Sequence, residues 1–199
     1  MKYLTFKKFK GNIGVNILKM EVFLMFKGKK IKLRAYKSTE VERVLSLIEE
    51  NNLRDTLSIG TIFPLSYEFQ KNFMEKNLAP NGELFNFAIE DLESNNYIGG
   101  CGINSLDRKN SVATIGLWIG KEYHGHGFGS DTLRVLCKFL FEEMNIHKIK
   151  LNYFEFNKAA RKCYEAVGFK EEGRNRKELY RYGKYYDTIN MGLFKEELK

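Results

Sequence analysis

Apolar and polar residues alternate at period two in several parts of the chain, and elsewhere apolar residues recur at helical spacing. Between residues 112 and 119 the alternation predicts a strand, and Leu133, Leu136 and Leu140 then mark one face of a helix. The same alternation predicts further strands at 31–35, 85–89, 97–103 and 149–153, and two closing strands near Phe169 and Asp187. This order of elements predicts a mixed α/β sheet flanked by helices.

Capping residues predict where two helices in the first half of the chain begin. Thr39 with Glu42 forms a capping box before an apolar pattern of helical period. A second helical segment is predicted to begin near Ser66. At 199 residues, with 43% hydrophobic content and two prolines, the chain is long enough to bury a substantial core as one domain.

A glycine-rich turn separates the strand at 112–119 from the helix that follows. Residues 122–130 read Glu-Tyr-His-Gly-His-Gly-Phe-Gly-Ser, with a Gly-x-Gly-x-Gly spacing that matches neither a P-loop nor a dinucleotide-binding fingerprint. Backbone without side chains at a helix N-terminus favours an anion. A tight turn without any ligand produces the same spacing, so the context decides between the two interpretations.

A capped helix in the last third of the chain supplies that context. Asn157 suits the N-cap and Gly168 the C′ position, and Tyr164 stands two turns after Asn157 on the same face. Segments 123–130 and 157–169 together resemble the GNAT superfamily of acyl-CoA-dependent N-acetyltransferases. The stretches at 115–120 and 183–188 resemble its RimJ/RimL branch, and the resemblance runs from about Lys29 to Leu198.

This resemblance implies a single-domain fold, a cosubstrate and a set of site residues. It implies a largely antiparallel sheet whose fourth and fifth strands splay apart to form a cleft for acetyl-CoA. The backbone of the glycine loop would bind the CoA pyrophosphate, although the family usually has Arg or Gln at the position of His124. The strand edge before it, with Asn157, would bind the pantetheine arm. The implied cofactor-binding residues are Leu117, Trp118, Ile119, His124, Gly125, His126, Gly127, Phe128, Gly129, Ser130, Asn157 and Tyr164.

Acetyl transfer to an amine requires an acid, a base and a donor to the carbonyl oxygen. The resemblance assigns the general acid to Tyr164, whose alternative interpretation is a core aromatic residue. Thr114 stands where related enzymes often have Glu, which leaves Glu83, Glu90 and Asp187 as candidate bases, with Asp187 first. A chain of ordered waters is the other candidate. The predicted activity is direct acetyl transfer to a primary amine of a protein N-terminus or a small molecule.

The chain has a formal net charge of +8, and its basic residues are concentrated at the N-terminus. Residues 1–34 hold ten Lys or Arg and one Glu, so the remainder carries about one negative charge. Residues 1–24 are predicted to be a basic extension, either an appendage or the result of a misassigned start codon, and 25–199 the acetyltransferase domain. A basic arm is usually a solvated tail. The net charge and the absence of a carboxylate at Thr114 motivate an alternative function, a non-catalytic CoA-sensing protein or one associated with ribosomes or nucleic acid. The concentration of the charge in the arm argues against this alternative.

The remaining sequence features concern location, metals and assembly. No window reaches the roughly 18 apolar residues that cross a bilayer, which predicts a cytoplasmic protein without a membrane partner. Three widely spaced cysteines favour a reducing compartment over a disulfide framework. His124 and His126 lack further ligands at metal spacing, so no metal site is predicted. An edge strand offers a route to a homodimer, and a monomer is equally compatible.

Overall fold

The computed structural model describes residues 25–57, 60–76 and 85–199. The predicted extension, residues 1–24, lies outside them. The strands of the described residues are β1 (Ile31–Arg34), β2 (Asn86–Asp91), β3 (Tyr97–Asp107), β4 (Val112–Ile119), β5 (Lys148–Phe154), β6 (Lys170–Arg181) and β7 (Lys184–Phe194). The α-helices of at least nine residues are α1 (Val41–Glu49), α2 (Tyr67–Lys76), α3 (Phe128–Glu142) and α4 (Lys158–Val167).

The strands form one sheet in the order β1-β2-β3-β4-β5-β7-β6. Every neighbouring pair is antiparallel except β4 and β5, which run parallel. The helix α3 connects these two parallel strands, as a crossover between parallel strands requires. The predicted mixed, largely antiparallel sheet is confirmed.

The strands β4 and β5 pair over only part of their length. The register joins Val112 to Lys148, Ala113 to Ile149 and Thr114 to Lys150, and no further pair follows toward Ile119. Beyond these three pairs β4 and β5 diverge, which opens a gap in the middle of the sheet. The predicted splay of the fourth and fifth strands is confirmed.

Two hydrophobic clusters lie on opposite faces of the sheet. Successive residues of β2, Ala88 and Ile89, belong to different clusters because neighbouring side chains of a strand point to opposite faces. The larger cluster packs under α3 and α4, and the smaller one packs under α1 and α2. The helices therefore cover both faces and leave the central gap open between them.

The predicted cap at Ser66 forms in the structure, and the capping box predicted at Thr39 does not. Ser66 Oγ accepts a hydrogen bond from the Phe69 N–H at 3.1 Å, as expected of a cap for α2. The expected box of Thr39 and Glu42 is wrong, because a 3-10 turn at 38–40 precedes α1 and Lys37 N donates to Glu40 Oε2 at 3.1 Å. The chain therefore begins to coil one turn earlier than the capping residues predict.

Candidate active site

A cavity of about 420 Å³ lies where β4 and β5 diverge. Its walls are the end of β4, the glycine loop, the first turn of α3 and one face of α4. Eleven of the twelve predicted cofactor-binding residues line it, and His126 is the exception. The structure thus brings together segments that are some forty residues apart in the chain.

Two glycines give the loop its shape. Gly125 and Gly127 have φ angles of +82° and +83°, in the left-handed region that glycine adopts without strain. Gly127 is the N-cap of α3 and provides no side-chain hydrogen bond to the helix. A Cβ at Gly125 would meet no atom within 4 Å. The backbone of the loop is thus open to a ligand at the positive end of a fifteen-residue helix.

Hydrogen bonds from both sides fix the loop. The ring Nε2 of His124 lies 2.9 Å from the carbonyl oxygen of Ile119, so this imidazole ties the loop to the end of β4. On the side of α1, Arg43 Nη2 bonds to Glu122 Oε1 at 2.6 Å and to Tyr123 Oη at 2.9 Å. The exposed ring of His126 packs beside Phe128, with centroids 6.2 Å apart.

The helix α4 presents Asn157 and Tyr164 to the cavity. Asn157 Oδ1 accepts from the Ala160 N–H at 3.0 Å, which confirms the predicted N-cap. Gly168, with φ +116°, ends the helix, and its N–H donates to the Tyr164 carbonyl oxygen at 3.2 Å. The Tyr164 side chain is 8% exposed. Burial raises the pKa of its phenol well above 10, with smaller contributions from Cys163 and Tyr153.

A second cavity of about 510 Å³ meets the first in the gap. Both cavities are lined by Leu117, Trp118, Tyr153 and Tyr164 among others, so Tyr164 borders both of them.

Three asparagines on three strands line the second cavity: Asn86, Asn104 and Asn152. Glycines make room for two of their side chains. A Cβ at Gly116 would lie 2.8 Å from Asn104 Nδ2, and a Cβ at Gly102 would collide with Asn86 Oδ1. Sequence reasoning missed this group. The available signal was an asparagine inside the predicted strands 85–89 and 149–153 and one directly after the predicted strand 97–103, because strands disfavour this residue type.

The candidate bases do not gather at the cavities. The Asp187 carboxylate accepts from Lys177 N at 2.9 Å and lies 3.5 Å from Arg174 Nη1, and Asp187 lines neither cavity. Its role as the base stays a prediction that this geometry does not support. Glu90 pairs with Lys32 at 2.8 Å and with Arg34, on the far side of β2.

Burial raises the pKa of Glu90, and the hydrogen bonds and charges of Lys32 and Arg34 outweigh this effect, so that its pKa lies below the ordinary value. The Glu90 carboxylate is therefore held in ion pairs with Lys32 and Arg34. Glu83, the remaining candidate, lies outside the described residues.

Cys101 and Cys137 are buried, Cys163 is partly buried, and all three are free thiols. Among residues 25–57, 60–76 and 85–199, no three His, Cys, Asp or Glu side chains cluster as a metal site would need. Within the same residues, no helix has the length and apolar character to span a bilayer.

Comparison with known proteins agrees with this geometry. The family described as Acetyltransferase (GNAT) domain matches residues 30–170. A putative ribosomal N-acetyltransferase of Bacillus subtilis is 28% identical over 181 residues, covering 84% of this chain and 92% of that protein. The spermidine N(1)-acetyltransferase of Vibrio cholerae is 27% identical, covering 85% of this chain and 96% of its own length.

The fold also matches solved structures of such enzymes. A spermidine N-acetyltransferase from Vibrio cholerae, solved in complex with CoA and spermine, superposes with a TM-score of 0.74 at 24% identity. The match covers 84% of this chain and 97% of that structure. The family match spans more than two thirds of the chain, and it confirms the family expected from the glycine loop and the capped helix α4. The chain belongs to the GNAT family of acyl-CoA-dependent N-acetyltransferases.

Proposed function

We propose that the protein transfers an acetyl group directly from acetyl-CoA to a primary amine of a protein N-terminus or a small molecule. The observation that carries this proposal is the meeting of two cavities at Tyr164, in the gap between β4 and β5. Acetyl-CoA enters the cavity beside the glycine loop, and the amine enters the cavity lined by asparagines. Both substrates are bound at once, so no covalent enzyme intermediate is required.

The residues of the first cavity fit acetyl-CoA chemically. Open backbone at Gly125 and Gly127, with the positive end of α3, suits the pyrophosphate. The edge of β4 from Leu117 to Ile119 is not paired with β5, and apart from the Ile119 carbonyl, which the His124 ring contacts, it suits the amide groups of the pantetheine arm. Asn157 also lines this cavity. When bound, acetyl-CoA supplies the activated thioester.

Tyr164 holds a proton where the leaving sulfur is expected. Because burial raises the pKa of the phenol, its Oη stays protonated at neutral pH and donates only as negative charge develops on the sulfur. Thr114, at the position where related enzymes often carry Glu, offers no carboxylate. The acceptor must therefore reach the site with little help in losing its proton.

The need for a neutral acceptor favours an α-amine. An α-amino group with a pKa near 8 is about one-tenth neutral at pH 7, whereas an amine with a pKa near 10.4 is neutral in roughly one molecule per few thousand. The amides of Asn86, Asn104 and Asn152 suit the N–H and C=O groups of a peptide. We therefore rank a peptide N-terminus, the kind of acceptor expected of a ribosomal N-acetyltransferase, above a polyamine such as spermidine.

The test is acetyl-CoA-dependent release of free thiol with a panel of acceptors: N-terminal peptides, spermidine, free amino acids and an aminoglycoside. Turnover with peptides, with spermidine at least about tenfold slower, supports the proposal. Faster turnover with spermidine overturns the ranking of acceptors. Silence across the panel, with acetyl-CoA still bound, supports the alternative of a CoA-sensing or ribosome-associated protein. Fractionation of cells tests the predicted cytoplasmic location, and size-exclusion chromatography distinguishes a homodimer from a monomer.

A further inference from the structure

The segment that leads into β1 is fastened to the first turn of α3. Asp131 is 7% exposed, and its carboxylate accepts hydrogen bonds from the N–H groups of Lys29, Lys30 and Ile31 at 3.1, 2.7 and 3.2 Å. A Cβ at Gly28 would collide with this carboxylate. The backbone of residues 28–31 is therefore held at one position relative to the helix that begins at the glycine loop.

This anchor brings the side chain of Lys30 to the loop. Lys30 Nζ donates to the His126 carbonyl oxygen at 2.7 Å. The same nitrogen lies 4.0 Å from the position of a Cβ at Gly127 and 6.0 Å from the centroid of the Phe128 ring. An ammonium group thus rests against the backbone that begins α3, although it comes from a residue almost a hundred positions earlier.

The charge of this ammonium is available to a ligand. No carboxylate of the described residues forms an ion pair with Lys30, and one of its three N–H donors is used by a neutral carbonyl. Arg43, the cation on the other side of the loop, differs, because its guanidinium already pairs with Glu122 at 2.6 Å. Lys30 therefore keeps both its charge and free donors for an anion beside the loop.

We propose that Lys30 is a cationic ligand of the acetyl-CoA pyrophosphate, which it contacts together with the loop backbone. This assignment rests on the proposed function, because it requires acetyl-CoA to bind along the loop. The pyrophosphate is the phosphate group that the loop itself would hold, and Lys30 Nζ is bonded to that loop. The Asp131 carboxylate, by holding residues 29–31, fixes the backbone from which the lysine reaches.

The experiment measures binding of CoA and of dephospho-CoA, which lacks the 3′-phosphate and keeps the pyrophosphate, by calorimetry. Lys30→Gln is compared with the wild-type protein and with Lys29→Gln, which removes the same charge one residue away. We expect Lys30→Gln to lower the affinity for both ligands about tenfold at low salt, as for the loss of one charge-assisted hydrogen bond, and to lower it less at high salt. Lys29→Gln should stay within about twofold of wild type, and Lys30→Arg should recover most of the affinity.

The outcomes separate this inference from the function on which it rests. A loss with CoA that disappears with dephospho-CoA would move the contact to the 3′-phosphate and overturn the assignment. Equal affinities of Lys30→Gln and Lys29→Gln would also overturn it, while binding by the wild type would leave the proposed function intact. Failure of the wild type to bind either ligand would overturn both. Thermal unfolding of each variant shows that the binding data come from folded protein.

Discussion

The rings of Tyr153 and Tyr164 meet edge to face, with their centroids 5.9 Å apart and their planes inclined by 69°. Tyr153 comes from β5 and Tyr164 from α4, and both line the two cavities. Such a pair is worth about 1 kcal/mol beyond the area that it buries. The two tyrosines are thus alike in chemistry and position, and they differ in the role that we assign to them.

Removal of one hydroxyl from this pair should affect turnover, and removal of the other should not. Tyr164→Phe keeps the ring and removes the proton donor, so we expect kcat to fall at least about tenfold with little change in the Kd of acetyl-CoA. Tyr153→Phe is the matched control and should retain kcat within about twofold. Steady-state kinetics with the best acceptor, with calorimetry alongside, measure both. Unchanged turnover of Tyr164→Phe at every pH would contradict the role of general acid.

Buried acids should make the fold sensitive to alkaline pH. Burial raises the pKa of Tyr36, Tyr97 and Tyr164 above 10.0 and that of Cys101 and Cys137 above 9.0. As the pH rises, the unfolded chain loses these protons before the folded one does. Their stabilisation is therefore complete below about pH 9 and is lost progressively above it.

We expect the thermal midpoint to be steady between about pH 7 and 8 and to fall steeply above about pH 10. Differential scanning calorimetry across this range measures the effect. Tyr164→Phe should show a shallower fall, because it carries one such acid fewer. An unchanged midpoint up to pH 11 would be incompatible with these raised pKa values.

The glycine that ends α4 should tolerate no side chain. Gly168 has φ +116°, and a Cβ there would collide with the Glu197 carbonyl oxygen. We expect Gly168→Ala to lower the free energy of unfolding by at least about 2 kcal/mol, from left-handed strain and the collision together. Urea denaturation measures this change.

The matched control for that variant is Gly183→Ala. Gly183 also has a positive φ, +75°, in the turn between β6 and β7, and a Cβ there meets nothing within 4 Å. This variant should lose only the strain, about 1 kcal/mol. Equal losses of unfolding free energy in the two variants would mean that the collision with Glu197 adds nothing to the destabilisation of Gly168→Ala.

The contact between Asp131 and the segment before β1 should stabilise the fold. Asp131→Ala removes the acceptor of three backbone N–H groups, and we expect a loss of about 2 kcal/mol or more. Gly28→Ala should be costly in the wild type, because the new Cβ would meet that carboxylate. In the Asp131→Ala background, Gly28→Ala should lower the free energy of unfolding far less. Strict additivity of the two losses would argue against the contact.

Structural features that residues close together in the sequence determine could be predicted. The Asn157 cap and the Gly168 stop depend on neighbouring residues, and both form as expected. The splay of β4 and β5 followed from the family resemblance, since no residue pattern in either strand marks where pairing ends. The capping box at Thr39 failed because Glu40, its neighbour in sequence, bonds to Lys37 instead.

Features that depend on distant contacts could not be predicted. The Asp131 carboxylate and the Lys29 N–H that it binds are 102 residues apart, and nothing local marks Lys30 as a neighbour of the loop. The three asparagines of the second cavity lie on different strands and meet only through the register of the sheet. The surroundings of the candidate bases could not be predicted either, because the carboxylates of Asp187 and Glu90 pair with basic side chains from other parts of the chain.

Only three residue pairs join β4 to β5, so the sheet consists of a four-stranded part and a three-stranded part that are connected weakly at this point. Backbone N–H and C=O groups that a continuous sheet would use internally are left over at its centre. An extended ligand with amide groups can complete that ladder in the way an added strand would. Binding would then connect the two parts of the sheet through the ligand. Amide hydrogen exchange near Leu117 and Ile119 should therefore slow most when the cosubstrate is present. The enzyme should also be mechanically stiffest with the cosubstrate bound.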